Sequence, residues 1–276
     1  MNLPPRAGDD PMRAAGAPAH ADPVIECRAL SVFRGQDPLV TGVTIGFGRN
    51  EVTAIVGAPG AGKTALLKAL NRMVDLDGEI RIVGEVLLDG RDVRAAGTDV
   101  LALRARVVLV PARPTAFRQS LFDNVAYGPR IHGRARDRTE LEQRVRDGLE
   151  AAGLFNEVRN RLAGSCDGLT PEQLHRLCIA RAVALDPQVL LLEDPCRGLD
   201  PPAAARIEDL VHGLAKRCSV ILTVQSMQVA GRVAGRIAFL HAGRLIEVNE
   251  ADELLTTPRH RLTEAYLTGR IARAPE

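Results

Sequence analysis

The sequence predicts an α/β fold: a mostly parallel sheet, preceded by an antiparallel β portion and interrupted by an inserted helical subdomain. Three observations carry this. Short runs at 51–56, 189–192 and 220–224 are apolar on both faces, as strands buried inside a parallel sheet are, and they are separated by helical patterns. Apolar residues alternate over 23–47 with a break at Arg34-Gly35, which reads as strand, turn and strand. Between about 114 and 187 the pattern is helical, with apolar residues at three- and four-residue intervals over 140–152, 156–162 and 172–185, so this stretch is expected to be a helical insert.

Taken in order, residues 1–22 are rich in Pro, Ala and Gly, lack periodicity, and are expected to be a disordered tail; 23–276 is then a single domain. The strand at 51–56 runs into glycines and a helix at 65–73. Within the insert, helices are expected at 140–152, 156–162 and 172–185. The amphipathic stretch 203–214 links the second and third buried strands by a right-handed crossover. Two short strands at 237–240 and 245–248 precede a terminal helix from about 260.

Composition narrows the function. With 36 Lys plus Arg against 34 Asp plus Glu, the chain of 276 residues carries +2, which gives no basic field for nucleic acid or lipid. Six Phe, two Tyr and no Trp leave little for base-stacking platforms or membrane belts. Cys27, Cys166, Cys178, Cys196 and Cys218 are scattered and never spaced C-x-x-C, so neither a disulfide framework nor a zinc site is indicated and a reducing compartment fits. No apolar run approaches the roughly 18 residues a membrane span needs, and the first twenty residues do not read as a signal peptide. The six histidines show no ligand spacing.

One segment carries specific chemistry. Gly57-Ala58-Pro59-Gly60-Ala61-Gly62-Lys63-Thr64 matches G-x-x-x-x-G-K-[ST], with a buried strand before it and a helix after it. Glycines let backbone N–H groups close around phosphate oxygens, and the following helix adds its partial positive charge. Lys63 reaches the β- and γ-phosphates, and Thr64 offers a hydroxyl to Mg²⁺. A phosphate-binding loop is therefore expected, with ATP and Mg²⁺ as ligands on a P-loop NTPase core.

Around this loop the chain resembles the ATP-binding subunits of ABC transporters over nearly all of 24–271, and among them the phosphate importer's ATPase. The resemblance lies in Leu70-Asn71-Arg72-Met73, Gly84 to Gly90 (GEVLLDG), Asp123 to Gly133 (DNVAYGPRIHG), Leu177-Cys178-Ile179-Ala180-Arg181-Ala182 and Thr268-Gly269-Arg270. It implies a subunit on the inner face of the cell membrane that works as a homodimer, or as a heterodimer with another ATP-binding subunit. The segment 123–133 would meet the membrane subunits of a permease.

The departures from that family matter as much. Its Mg²⁺-ligating Gln corresponds to Ala112, and its Asp-Glu pair to Glu193-Asp194, so the metal-side carboxylate is one methylene longer and the water-activating one shorter. Each swap moves a carboxyl by about 1.5 Å, and misplacement on the order of 1 Å can cost about 100-fold in rate. The γ-phosphate His corresponds to Gln225, and the adenine-stacking aromatic to Arg34; guanidinium stacking and a solvated Arg both remain open there. The signature loop Leu-Ser-Gly-Gly-Gln corresponds to Leu169-Thr170-Pro171-Glu172-Gln173. Its residues suit a helix start instead, with Thr170 as N-cap, Pro171 at the first helical position and Gln173 closing a capping box. Asp200, retained from the family's dimer interface, also suits an ordinary helix start.

The expected site is thus the cradle Gly57 to Thr64 with Arg34, the metal donors Thr64 and Glu193, and the catalytic positions Asp194 and Gln225. The expected function is an importer subunit that binds MgATP with impaired hydrolysis. A fully active phosphate-importing ATPase is the alternative, and a P-loop kinase of small molecules a remote one.

Overall fold

A computed structural model defines residues 15–16, 20 and 22–271. Most of the segment expected to be a disordered tail lies outside these residues. Within it, β1 (Ala15–Gly16) is a short strand, and the His20 ring lies 2.8 Å from the Glu51 carboxylate.

The antiparallel portion begins with β2 (Ile25–Arg34) and β3 (Asp37–Phe47), joined through Gly35 at φ 57°. β4 (Val52–Val56) is buried along its whole length and leads through the glycine loop into α1 (Lys63–Ala69). The helix expected at 65–73 breaks early, because Arg72 adopts φ 60° and a 3₁₀ turn follows at Met73–Leu76. β5 (Ile80–Leu88) and β6 (Arg91–Asp92) then complete a four-stranded antiparallel sheet in the order β3-β2-β5-β6.

α2 (Val100–Arg106) starts where the Asp99 side chain accepts from Leu101 N and Ala102 N, and it feeds β7 (Val107–Val110). The insert consists of α3 (Leu121–Ile131), α4 (Arg138–Ala151), α5 (Phe155–Val158) and α6 (Pro171–Val183). Ser120, Asp137 and Thr170 cap α3, α4 and α6 through side-chain oxygens that accept backbone N–H groups.

β8 (Val189–Glu193), α7 (Pro201–Leu214), β9 (Ser219–Val224) and α8 (Met227–Val233) return the chain to the sheet. Asp200 caps α7 by accepting from Ala203 N at 2.8 Å, as a helix start requires. β10 (Arg236–His241), β11 (Arg244–Glu250), α9 (Ala251–Thr256) and α10 (Arg261–Leu267) follow.

The main sheet runs β1-β11-β10-β4-β9-β8-β7. Its pairs are parallel apart from the β10–β11 hairpin, and Val52 to Val56 lie in register with Val220 to Val224. Side chains alternate between two cores. Ala54, Val56, Leu190, Leu192 and Leu222 face the helical insert, α7 and α8, while Ile55, Leu191 and Ile221 face α1 and the antiparallel sheet. These leucines, isoleucines and valines are essentially without solvent contact, each burial contributing roughly 1.5–3 kcal/mol. The sheet is therefore a rigid floor, and the carboxyl ends of β4, β8 and β9 open on one edge of it, where ligands of doubly wound sheets bind.

Candidate functional site

The glycine loop leaves the carboxyl end of β4, and packing dictates two of its glycines. A Cβ on Gly57 would stand 2.2 Å from Leu240 O. A Cβ on Gly62 would stand 2.3 Å from Leu39 O, and Gly62 has φ 96°, in the left-handed region. β10 and β3 thus press on the loop from two sides and fix its path. Lys63 Nζ folds back over it, donating to Gly57 O at 2.6 Å and Ala58 O at 2.9 Å. Burial pushes the Lys63 ammonium below the usual lysine pKa, and the Asp194 and Glu193 carboxylates oppose that shift.

Thr64, on the first turn of α1, donates its hydroxyl to Glu193 Oε1 at 2.5 Å. Hydroxyl and carboxylate together form a small hard-oxygen site. Mg²⁺ needs no more from protein, because it keeps several waters and takes the rest of its shell from phosphates. The longer Glu193 side chain spans the distance to Thr64. Ala112 lies alongside with its N–H 3.5 Å from Glu193 Oε2, and its methyl offers no ligand.

Asp194 sits one residue past the end of β8 with φ 43°, strained for an L-residue. Its N–H donates to Thr223 O at 3.0 Å and lies 3.1 Å from Thr223 Oγ1. Gln225, just beyond β9, donates from Nε2 to Asp194 Oδ2 at 3.1 Å. The two positions singled out for catalysis therefore touch each other. The Gln225 carbonyl in turn accepts the Tyr266 hydroxyl from α10 at 2.6 Å.

A cavity of about 770 Å³ joins these groups. Gly60 to Thr64, Glu193, Asp194 and Gln225 stand at one part of its wall and Arg34 at another, so the expected site residues share one space; Gly57 and Ala58 lie behind the wall. Lys68 and Asp77 also line it, as does Arg197. Lys68 was legible as one helical turn beyond Thr64. Asp77 and Tyr266 were not, since each reaches the site from a distant stretch with no motif of its own. Arg34 donates to Asp77 Oδ2 at 3.0 Å, and the adjacent Phe33 ring is covered by the Arg81 guanidinium at 4.1 Å.

The start of α6 has the anatomy the sequence suggested. Gln173 N donates to Thr170 Oγ1 at 3.2 Å, Thr170 N donates to Gln173 Oε1 at 3.0 Å, and Pro171 occupies the first helical position. Glu172, the second residue of the helix, is buried. Its carboxylate accepts both Nε and Nη2 of Arg206 from α7, the first at 2.7 Å, and lies 3.1 Å from Arg176 Nε. Arg176 also makes a paired contact with Glu157 of α5, at 2.7 and 3.1 Å.

Residues 40–197, which contain the glycine loop, the insert and the acidic pair, match the family model for ABC transporters. The chain belongs to the ABC transporter family. It is an ATP-binding domain of that family, a class that binds ATP, typically with Mg²⁺. Two solved structures share its fold. One is cbiO1 from Clostridium perfringens, part of the ABC transporter complex cbiONQ, with TM-score 0.73 at 21% identity over 91% of this chain and 100% of that one. The other is a bacterial Atm1-family ABC exporter with ATP bound, with TM-score 0.74 at 21% identity, covering 95% of this chain but 44% of the exporter's. Among the described residues of this ABC domain, no helix is long and apolar enough to cross a membrane.

Proposed function

We propose that this chain is the ATP-binding subunit of an ABC importer, of the phosphate type by the resemblance of its sequence, and that it binds MgATP with impaired hydrolysis. The observation that carries the reading is the contrast between a complete phosphate loop and an α6 start that is closed on itself. In the family that segment grips the γ-phosphate held by the facing subunit. Here the hydroxyl of Thr170 is spent on Gln173 N, Pro171 has no N–H, and Glu172 is turned into a buried ion pair with Arg206 and Arg176. Lost contacts compound in phosphoryl transfer, because its catalysis is positioning and charge stabilisation by groups that act together.

An apolar groove of about 220 Å³ between β7 and α3 supports a membrane-subunit partner, with Phe117, Tyr127 and Ile131 exposed along it. Phe117 and Tyr127 stack at 4.8 Å, and Arg181 covers Phe117 at 4.3 Å, which stiffens that rim.

Calorimetry with MgATP tests the binding half: wild type binds and Lys63→Ala does not, while equal affinity in both rejects it. Phosphate release, measured for the protein alone and with its membrane subunits, tests the catalytic half. The Asp194–Gln225 contact at the strand ends favours the second reading, an active transport ATPase. Turnover of roughly 1 per second or more would establish that reading instead.

A further inference from the structure

Among the described residues, none that lines the nucleotide cavity is aromatic. Beyond the glycine loop its wall offers two chemistries: an aliphatic floor that includes Val74 and Ile80, and the Arg34–Asp77 ion pair. A cavity of about 770 Å³ is large enough for a whole nucleoside triphosphate. With the triphosphate on the loop at Gly60 to Thr64, the base reaches a wall that recognises edges by hydrogen bonds and has no ring to stack on.

The pair is only partly used. Arg34 has five N–H donors and spends one, from Nη2, on Asp77. Asp77 Oδ1 accepts from Glu79 N at 3.2 Å and Oδ2 accepts from Arg34, so lone pairs remain on the carboxylate. Donors and acceptors thus stand side by side. Guanine fits that order: O6 and N7 accept from a guanidinium in a bidentate pair, and N1–H and the N2 amino group donate to a carboxylate. Adenine presents one donor, N6, beside N7 or N1 as acceptor, so one bond to each residue is all it makes.

We infer that the base subsite selects guanine over adenine through Arg34 and Asp77, so that GTP is the tighter ligand. This rests on the reading of the cavity as a nucleoside triphosphate site. Both side chains are about half exposed (57% and 40%). The extra hydrogen bonds therefore work at the low end of their usual range, and a preference of about tenfold follows. Inosine triphosphate, which lacks the N2 amino group, falls between the two.

The test is calorimetric titration of the full chain with MgGTP, MgITP and MgATP, repeated on Asp77→Asn and Arg34→Ala. The expected order for wild type is GTP, ITP, ATP. In Asp77→Asn, which keeps the shape and removes half the acceptor, GTP and ATP come within about twofold while ATP affinity changes little. Arg34→Ala likewise collapses the preference. Equal or tighter binding of ATP by wild type overturns the inference and leaves the nucleotide site standing. So does a GTP preference that survives Asp77→Asn. Binding of none of the three overturns the nucleotide reading itself.

Discussion

Leu39 O lies where a Cβ on Gly62 would have to be, and Gly62 already needs φ 96°. Alanine there must both enter the left-handed region, at about 1–2 kcal/mol, and displace a backbone carbonyl of β3. We expect Gly62→Ala to lose at least about 2 kcal/mol of stability and to bind no MgATP, as read by chemical denaturation and calorimetry. A variant as stable as wild type would show that β3 yields where it is drawn rigid. Asp194 poses the opposite problem, a strained backbone pinned from Thr223 that presents a short carboxylate to Gln225. On the function proposed above, Asp194→Glu alone is expected to return little hydrolysis, since Pro171, Glu172 and Gln225 still depart from the pattern of the resembled family. A rise of 100-fold or more from this single change would refute that.

The start of α6 is held by contacts that reach beyond its own cap. The Arg206 hydrogen bond holds the Glu172 carboxyl below the ordinary glutamate pKa against the opposing effect of burial, and the Arg176 bond does the same for Glu157. Carboxylates with lowered folded-state pKa values stabilise the fold fully above the unfolded value of about 4.3, and that stabilisation drains away as pH falls through the lowered values. Glu172→Gln is therefore expected to melt a few degrees below wild type at pH 7, with the gap closing below about pH 4. A gap that does not depend on pH would mean that the carboxylate's charge is irrelevant. Arg206→Ala removes both bonds across α6 and α7 but leaves Arg176 beside Glu172, so it should lower the denaturation midpoint only modestly.

The helix start at Thr170 was legible because capping chemistry is local. The Arg206 and Arg176 contacts were not, since nothing in the spacing of 172 and 206 says that α6 and α7 touch. The same division runs through the elements. Fully buried strands such as β4, β8 and β9 announced themselves as short apolar runs. β5 did not, because over Ile80 to Glu85 only Ile80 and Ile82 turn partly inward while Arg81, Val83 and Glu85 stay exposed, so no continuous apolar run marks it. The phosphate loop and acidic pair could be read from motif order, whereas the Arg34–Asp77 contact, spanning 43 positions, depends on the β2–β5 pairing.

At the scale of the whole molecule, two copies facing each other across their nucleotides would each present Pro171 and a buried, ion-paired Glu172 to the other's triphosphate. MgATP is accordingly not expected to drive a tight homodimer, and size-exclusion chromatography with and without nucleotide tests this. A stable ATP-induced dimer that persists in Pro171→Ala with Glu172→Ala would show that this segment is neither its cause nor its obstacle. Recovery of catalysis should require several changes together, because groups serving one transition state are strongly non-additive. The set Ala112→Gln, Pro171→Gly, Glu172→Gly, Glu193→Asp, Asp194→Glu and Gln225→His should raise phosphate release by at least roughly 100-fold. A sixfold variant that folds, binds MgATP and still turns over at the wild-type rate would place the defect elsewhere.

The wedge formed by Leu39 O and Leu240 O also bears on mutational drift. Gly57 and Gly62 are required by the walls of the fold whether or not a triphosphate ever arrives, so a lineage abandoning nucleotide would keep them. Lys63 and Thr64 enjoy no such protection. One reaches only carbonyls of its own loop, under a burial penalty, and the other only Glu193. In a chain free of its ligand those two side chains are the first to decay, and here both are still in place.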